Sequence, residues 1–319
     1  MIILVTGGCG FIGSNFINQI LQKNKGVRII NIDKLDYCSN KENVIPNEKY
    51  IFINGNINDK SLVLELLNKY EIEYVVHFAA QTHVDNSFEN SLDYTIDNIL
   101  GTHTLLECCR IYNKIKRFIH ISTDEVYGEI SLEHSGCCEK SILNPTNPYA
   151  ATKAGAEFIV RSYYHSFKLP IIIIRANNVY GINQYPEKLI PKFIMLLKND
   201  KKLTIQGDGK TRRNFIYVND VVNAIILVME KGEINEIYNI GSVNEYNVLE
   251  IGTILLHLIK GDDKKIDDHI EYIEDRNFND FRYAIDCTLL KKLGWKEEMD
   301  FYEGLRITIS WYMKNNKCI

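Results

Sequence analysis

Through the first two-thirds of the chain, short apolar, β-branched runs alternate with longer stretches whose apolar positions recur at helical spacing. The runs are Ile2 to Thr6, Val27 to Asp33, Tyr50 to Ile53, Tyr74 to Phe78, Arg117 to Ser122 and Pro170 to Arg175. They are continuous rather than alternating, which is the pattern of strands covered on both faces. Between them, Phe11 to Lys23, Lys60 to Tyr70, Leu92 to Tyr112 and Pro148 to Phe167 predict helices. This alternation predicts an α/β, Rossmann-type doubly wound parallel sheet. After Arg175 the rhythm breaks. Asn177 to Pro186 reads as loop, Glu187 to Lys198 as a helix, Gly207-Asp208-Gly209 as a turn and Phe301 to Lys314 as a final helix. The expected division is residues 1–176, with a returning segment near 215–242, for the sheet, and 177–214 with 243–319 for a smaller, interleaved C-terminal lobe.

A length of 319 residues suits two such units, and 45% apolar residues give them a core. The 37 basic and 41 acidic side chains leave a formal charge of −4 with no long basic run, which argues against a nucleic-acid or membrane-surface protein. Eight cysteines, Cys9, Cys38, Cys108, Cys109, Cys137, Cys138, Cys287 and Cys318, include no Cys-x-x-Cys, so no metal site is expected. The apolar run after Met1 is too short for a signal-peptide core, and no stretch reaches 18 uninterrupted apolar residues. These features predict reduced thiols and a cytoplasmic location.

Thr6-Gly-Gly-Cys-Gly-Phe-Ile-Gly13 follows the first strand and opens the first helix. Gly7, Gly10 and Gly13 permit a tight turn and close approach of backbone to a pyrophosphate, which would rest on the helix start at Phe11 and Ile12. Asp33 ends the second strand, 20 residues beyond Gly13. A carboxylate there would accept hydrogen bonds from an adenosine ribose and repel a 2′-phosphate, favouring NAD over NADP, with Lys34 adjacent. Asn56 and Ile57, and Ala79 and Ala80, sit at the ends of the third and fourth strands, the ligand-holding edge of such sheets.

Asn147-Pro148-Tyr149-Ala-Ala-Thr-Lys153 starts a helix, with Asn147 as cap and Pro148 in the first turn. Tyr149 and Lys153 share a helical face. A neighbouring ammonium would stabilise a phenolate and bring the phenol towards working pH.

The glycine turn with Tyr149-x-x-x-Lys153 resembles the extended short-chain dehydrogenase/reductase superfamily. Phe78-Ala-Ala-Gln-Thr-His-Val-Asp-Asn-Ser87, Ser122-Thr-Asp-Glu-Val-Tyr-Gly128, Asn177-Asn-Val-Tyr-Gly181 and Pro186-Glu-Lys-Leu-Ile-Pro191 resemble its nucleotide-sugar 4,6-dehydratases. The likeness runs from Met1 to about Tyr312, nearer to the dehydratase domain of plant UDP-rhamnose synthases than to bacterial dTDP-glucose 4,6-dehydratases.

The resemblance implies an NAD-dependent hydro-lyase acting early in rhamnose or other 6-deoxysugar biosynthesis. It assigns Tyr149, supported by Lys153, to the C4 hydroxyl proton, Thr123 to a hydrogen bond at that oxygen, Glu125 to the C5 proton and Asp124 to the departing C6 hydroxyl. Two carboxyls in different environments can divide such work. It also implies cofactor contacts at Gly7, Gly10, Phe11, Ile12, Gly13, Asp33, Lys34, Asn56, Ile57, Ala79, Ala80, Tyr149, Lys153 and Asn178. Substrate contacts fall at His83, Thr123, Asn178, Glu187, Lys188, Leu189, Arg213, Asn244, Arg276 and Asn279, whereas Arg212 reads as a surface salt bridge. Gln81 and Arg276-Asn-Phe-Asn-Asp280 depart from the bacterial pattern and lean towards UDP-glucose over dTDP-glucose, a choice governed by one methyl group. Leu92 to Tyr112 and Pro148 to Phe167 match the helices that relatives use for a homodimer. A nucleotide-sugar 4-epimerase or decarboxylase of the same superfamily, and a non-catalytic NAD-binding sensor, are the alternatives. The Asp124–Glu125 pair counts against the former, and retention of Thr123, Tyr149 and Lys153 against the latter.

Overall fold

The apolar runs become strands because each successive side chain finds an apolar layer on whichever side it points. Ile3 and Val5 enter one buried cluster and Leu4 the other; Ile172 and Ile174 enter the first, Ile171 and Ile173 the second. The chain, as a computed structural model, is described over residues 1–276 and 278–315, with Cys318 outside that range. In chain order the first half comprises β1 (Ile2–Thr6), α1 (Phe11–Lys23), β2 (Arg28–Asp33), β3 (Tyr50–Asn54), α2 (Lys60–Lys69), β4 (Tyr74–His77), α3 (Val84–Glu89), α4 (Ser91–Tyr94), α5 (Gly101–Tyr112), β5 (Arg117–Thr123), α6 (Pro148–Phe167) and β6 (Ile171–Ala176). There follow β7 (Asn178–Tyr180), α7 (Leu189–Lys198), β8 (Leu203–Gln206), β9 (Arg212–Tyr217), α8 (Val218–Lys231), β10 (Ile237–Ile240), β11 (Glu245–Asn247), α9 (Val248–Lys260), β12 (Ile270–Ile273), α10 (Thr288–Lys292) and α11 (Phe301–Lys314).

Seven strands form one parallel sheet in the order β10-β6-β5-β4-β1-β2-β3. Strand order reverses between β1 and β4, so the loops leaving their carboxyl ends diverge and open a crevice there. β11, β9 and β7 make a second small sheet, and β12 pairs with β8 in a third.

Three sequence expectations are refined. Leu92 to Tyr112 is not one regular helix: Thr95–Leu100 is wound as a π-turn between α4 and α5. The wider turn brings the buried Asn98 amide to the chain at Gln81, where Asn98 Oδ1 accepts from Gln81 N at 2.7 Å and Nδ2 donates to its carbonyl at 3.1 Å. Asn177 to Pro186 contains β7, too short for an apolar pattern and held by pairing with β9. The helix expected from Glu187 begins at Leu189, with Lys188 in the N-cap position.

One buried ion pair ties the sheet to α6. Arg175, on β6, is bidentate to Glu157, with Nε–Oε1 at 3.0 Å and Nη2–Oε2 at 2.5 Å, and both side chains are almost wholly inaccessible. Arg175 also lies 4.7 Å over the Tyr127 ring and donates to its hydroxyl. Removing one partner of such a pair leaves an uncompensated buried charge. Glu157→Gln should therefore cost about 3–5 kcal/mol, read as a lower midpoint in urea denaturation, and a loss below about 1 kcal/mol would show that the pair is not holding α6.

Candidate active site

The carboxyl ends of the parallel strands meet in two adjoining cavities of about 280 and 200 Å³. Both are walled by Glu125, Asn178, Glu187 and Lys188.

The larger cavity begins at the glycine turn. Gly7 has φ +69°, and a Cβ there would lie 2.7 Å from the Ala79 backbone; a Cβ on Gly13 would lie 2.6 Å from the Gly7 carbonyl. Only glycine lets these segments approach so closely. α1 starts at Phe11 without a side-chain cap or an acidic residue in its first turn. Phe11, Ile12 and Gly13 line the cavity, so the positive end of the helix is open to an anion. Asp33 is buried, its carboxylate accepting from Cys9 N at 2.9 Å and Leu35 N at 2.8 Å. Lys34, Asn56, Ile57, Ala79 and Ala80 complete this wall with Gly10. The donor set fits a dinucleotide: a bare helix start for phosphates, a fixed carboxylate for ribose hydroxyls and apolar residues between.

At the inner end of this cavity stand Thr123, Asp124, Glu125, Tyr149 and Lys153. Thr123 closes β5, and its hydroxyl accepts from Glu125 N at 3.3 Å, starting a short 3₁₀ turn over Asp124–Tyr127. α6 delivers Tyr149 and Lys153. Asn147 caps it by accepting from Ala150 N at 2.9 Å, and the same amide donates to Glu125 Oε2 at 3.2 Å.

Burial, then the neighbouring Glu125, pushes the Asp124 carboxyl up to about 7 against a 2.5 Å bond from Asn177 Nδ2. Burial also raises Glu125, opposed by Arg213 and Asn147. The sequence expectation for Tyr149 meets a competing effect. Burial and then Glu125 raise the phenol, with Thr123 pulling the other way. Burial lowers the Lys153 ammonium to about 8, and its Nζ donates to the Ile121 carbonyl at 2.6 Å.

The smaller cavity gathers most of the remaining candidates: His83, Leu189, Arg213, Arg276 and Asn279. His83 precedes α3 with Nε2 3.9 Å from Asp85 Oδ2. Arg213 donates to the carbonyls of Arg212 and Asp280 at 2.8 Å and lies 4.6 Å over the Tyr283 ring. Arg276 Nε is 2.7 Å from Asp85 Oδ1. Lys188 Nζ donates to the Thr82 carbonyl at 2.7 Å, and burial lowers its ammonium.

Asn244 is not brought to either cavity. Its amide donates to Ser242 Oγ at 2.8 Å and Glu297 Oε1 at 3.1 Å, because the β11 pairing with β9 turns it towards the chain before α11. Arg212 pairs with Glu245 and Glu250.

Three contributors went unread in the sequence. Asn177 holds the acidic Asp124, whereas the sequence pattern points to its neighbour Asn178. Lys192 lines the smaller cavity one helical turn after Lys188, a spacing that would have flagged it. Tyr283 lies under Arg213, which no local pattern announces. Among the described residues, no cluster of three or more His, Cys, Asp or Glu is disposed to hold a metal.

The sequence profile of the GDP-mannose 4,6-dehydratase family matches residues 4–308. A trifunctional UDP-glucose 4,6-dehydratase/UDP-4-keto-6-deoxy-D-glucose 3,5-epimerase/UDP-4-keto-L-rhamnose-reductase of Arabidopsis thaliana is 50% identical over 317 residues, covering 98% of this chain. The chain spans 47% of that relative's length. A dTDP-D-glucose 4,6-dehydratase of Dictyostelium discoideum is 46% identical, covering 99% of this chain and 82% of the relative. Among solved structures, a dTDP-glucose 4,6-dehydratase of Streptomyces venezuelae with NAD bound superposes with a TM-score of 0.94 at 36% identity, covering 99% of this chain and 98% of that one. A UDP-glucose 4-epimerase of Thermotoga maritima superposes at 0.90 with 32% identity, covering 98% and 99%. A profile match over almost the whole chain, together with relatives near half identity, makes this protein a member of the GDP-mannose 4,6-dehydratase family, among the nucleotide-sugar dehydratases of the extended short-chain dehydrogenase/reductase superfamily.

Proposed function

We propose that the chain is an NAD-dependent nucleoside-diphosphate-glucose 4,6-dehydratase, with UDP-glucose favoured over dTDP-glucose. The observation that carries the reading is the carboxyl pair after β5. Asp124 is buried and poised near neutrality, and Glu125 stands where the two cavities meet. A hydride shuttle alone has no use for a second acid–base pair, whereas loss of water across C5 and C6 needs one group to take a proton and another to give one.

In this reading the sheet unit, residues 1–176 with 215–242, holds the dinucleotide, and 177–214 with 243–319 hold the nucleotide sugar. Gly7, Gly10, Phe11, Ile12, Gly13 and Asp33 cradle the pyrophosphate and ribose. Bound there, NAD supplies a cationic two-electron oxidant that takes a hydride from C4 and returns it at C6. Tyr149, which must be ionised against the upward pull of burial and Glu125, receives the C4 hydroxyl proton as the phenolate, and Thr123 hydrogen-bonds the same oxygen. Lys153, four residues further along the same helix, supplies the ammonium that favours the phenolate. Glu125 takes the C5 proton, made acidic by the C4 ketone, while Asp124 gives its proton to the departing C6 hydroxyl as water. Glu125 then returns a proton to C5. Arg213 and Arg276 meet the diphosphate, a role suited to guanidinium forks. The protein works in the cytoplasm, on a substrate of 6-deoxysugar biosynthesis.

A homodimer completes the reading. Leu92, Ile96 and Leu100 at four-residue spacing, with Phe158 on α6, are exposed apolar side chains; Leu92 is 75% and Phe158 60% accessible. Such a face seeks a partner, and a self-complementary two-fold contact would cover it.

Purified protein given UDP-glucose should yield a 4-keto-6-deoxy sugar one water lighter, detected by mass spectrometry, without net build-up of reduced cofactor. A product of unchanged mass inverted at C4 would instead support the epimerase reading suggested by the Thermotoga likeness. Absence of turnover on either UDP- or dTDP-glucose would sink both, and kcat/KM on the two substrates decides the base preference.

A carboxyl whose value is raised on folding favours its protonated form up to that raised value. Elimination should therefore fall as pH climbs through about 7, where Asp124 loses the proton it must give, and fall again on the acid side, where Glu125, itself raised by burial, is protonated and no longer a base, measured in single turnovers. Asp124→Asn should slow elimination by about 10²–10⁴-fold, erase the alkaline limb and leave C4 oxidation less affected; equal losses in both steps would contradict its role as the acid. Leu92→Glu with Phe158→Glu should convert a dimer to a monomer by light scattering.

A further inference from the structure

Residues 34–39 run from the end of β2 along the wall of the larger cavity, with Lys34, Asp36, Cys38 and Ser39 lining it. Beyond Lys34, which the family resemblance places at the cofactor, the proposed chemistry gives this segment no task, yet it is fastened at two points. On the inner side Lys34 Nζ lies 2.7 Å from Asp97 Oδ2 and 3.0 Å from Asp36 Oδ2. Gln81 Nε2 donates to the same two oxygens at 2.8 and 2.6 Å. Asp97 sits on the π-turn and lines the same cavity, so the ion pair joins the segment to a second element of its wall. Burial pulls the Lys34 ammonium down, but its bonds to Asp97 and Asp36 outweigh this and hold it above its ordinary value.

On the outer side the Tyr37 ring meets the Tyr185 ring edge-on, with centroids 5.4 Å apart. Tyr185 lines the cavity from between β7 and α7, and both rings remain more than a third exposed, which puts the pair at the rim. Asn86 Nδ2 donates to the Tyr37 hydroxyl at 3.3 Å. Two segments far apart in sequence thus close on one another beside the cavity that fits a dinucleotide.

We propose that residues 34–39 are a latch that keeps the dinucleotide bound through the whole catalytic cycle, fastened by the Tyr37–Tyr185 ring contact and the Lys34–Asp97 ion pair. The inference rests on the NAD-dependent dehydratase reading. In that reaction the two electrons removed at C4 must be returned at C6 by the same cofactor molecule. A cofactor that left between the two transfers would strand an unsaturated ketone in the site. Aromatic edge contacts are worth enough to slow release severalfold, and a partly exposed ion pair adds a component that salt weakens.

The test uses the full chain loaded with NAD, passed through gel filtration, with bound cofactor released by acid and counted per protomer. Exchange against isotopically labelled NAD is then timed. The wild type should keep its cofactor, while Tyr185→Ala should exchange about three- to tenfold faster, the size of one aromatic edge contact. Tyr185→Phe, which retains the ring edge, should exchange at the wild-type rate. Asp97→Asn should speed exchange at low salt and lose the further acceleration that about 1 M salt causes in the wild type. During turnover of UDP-glucose, reduced cofactor should appear in the filtrate of Tyr185→Ala and not of the wild type. Melting at saturating NAD verifies that each variant is folded. Exchange rates of Tyr185→Ala and Asp97→Asn within about twofold of wild type would overturn the latch and leave the dehydratase reading standing. A wild type that neither retains nor binds NAD overturns both.

Discussion

Desolvation at the carboxyl end of β5 is the constraint on which the rest of the site depends. Two adjacent acidic side chains are placed where ionisation of either is costly, and Asn177, Thr123, Asn147, Lys188 and Arg213 oppose that cost. Water would return both to the ordinary carboxylate range and make them indistinguishable. Burial separates them: Asp124 is almost inaccessible and donor-bound, while Glu125 reaches the junction of the cavities. The same dryness acts on the pair from α6, raising the Tyr149 phenol and lowering the Lys153 ammonium. A polar cluster so far from its solution behaviour needs a rigid frame. The Arg175–Glu157–Tyr127 contacts supply one, since Tyr127 ends the turn begun at Asp124 and Glu157 lies one helical turn past Lys153.

The frame itself follows from strands buried on both faces. Because β1, β2, β4, β5 and β6 are parallel, their carboxyl ends fall on one edge. Five loops separated widely in sequence therefore deliver their first residues to a common place. The reversal between β1 and β4 gives that edge its crevice.

How much of this could be read from the residues depended on whether the determinant was local. Apolar runs such as Ile2 to Thr6 announce strands because double-sided burial leaves no polar positions to blur them. The glycine turn and Tyr149-x-x-x-Lys153 are legible for the same reason, each being a short spacing with one physical purpose. β7 has only three residues, and its existence depends on β9, which lies far along the chain. The grip of Asn177 on Asp124 spans two strand ends and is invisible until β5 and β6 lie side by side. Asn244 shows the opposite failure, a residue of suitable chemistry whose orientation is set by β-pairing rather than by its type. The shift of Tyr149 runs against the sequence expectation because helical spacing reveals the neighbouring ammonium and says nothing of how much water is lost.

The loop between the carboxyl pair and α6 is stitched to the segment that carries Arg276 and Asn279. Thr146 Oγ1 donates to Asp280 Oδ2 at 2.6 Å, Ile130 N to the Arg282 carbonyl at 3.1 Å, and Arg282 returns bonds to the carbonyls of Ser131 and His134. Tyr283 shares the Asp280 carboxylate and also supports Arg213. In the proposed reading, recognition of the nucleoside diphosphate and placement of the acid–base groups are thus not separable modules. A chimera that imports residues 275–286 from a relative to change the base preference would carry half of a seam, and would need the matching 128–147 loop to close it.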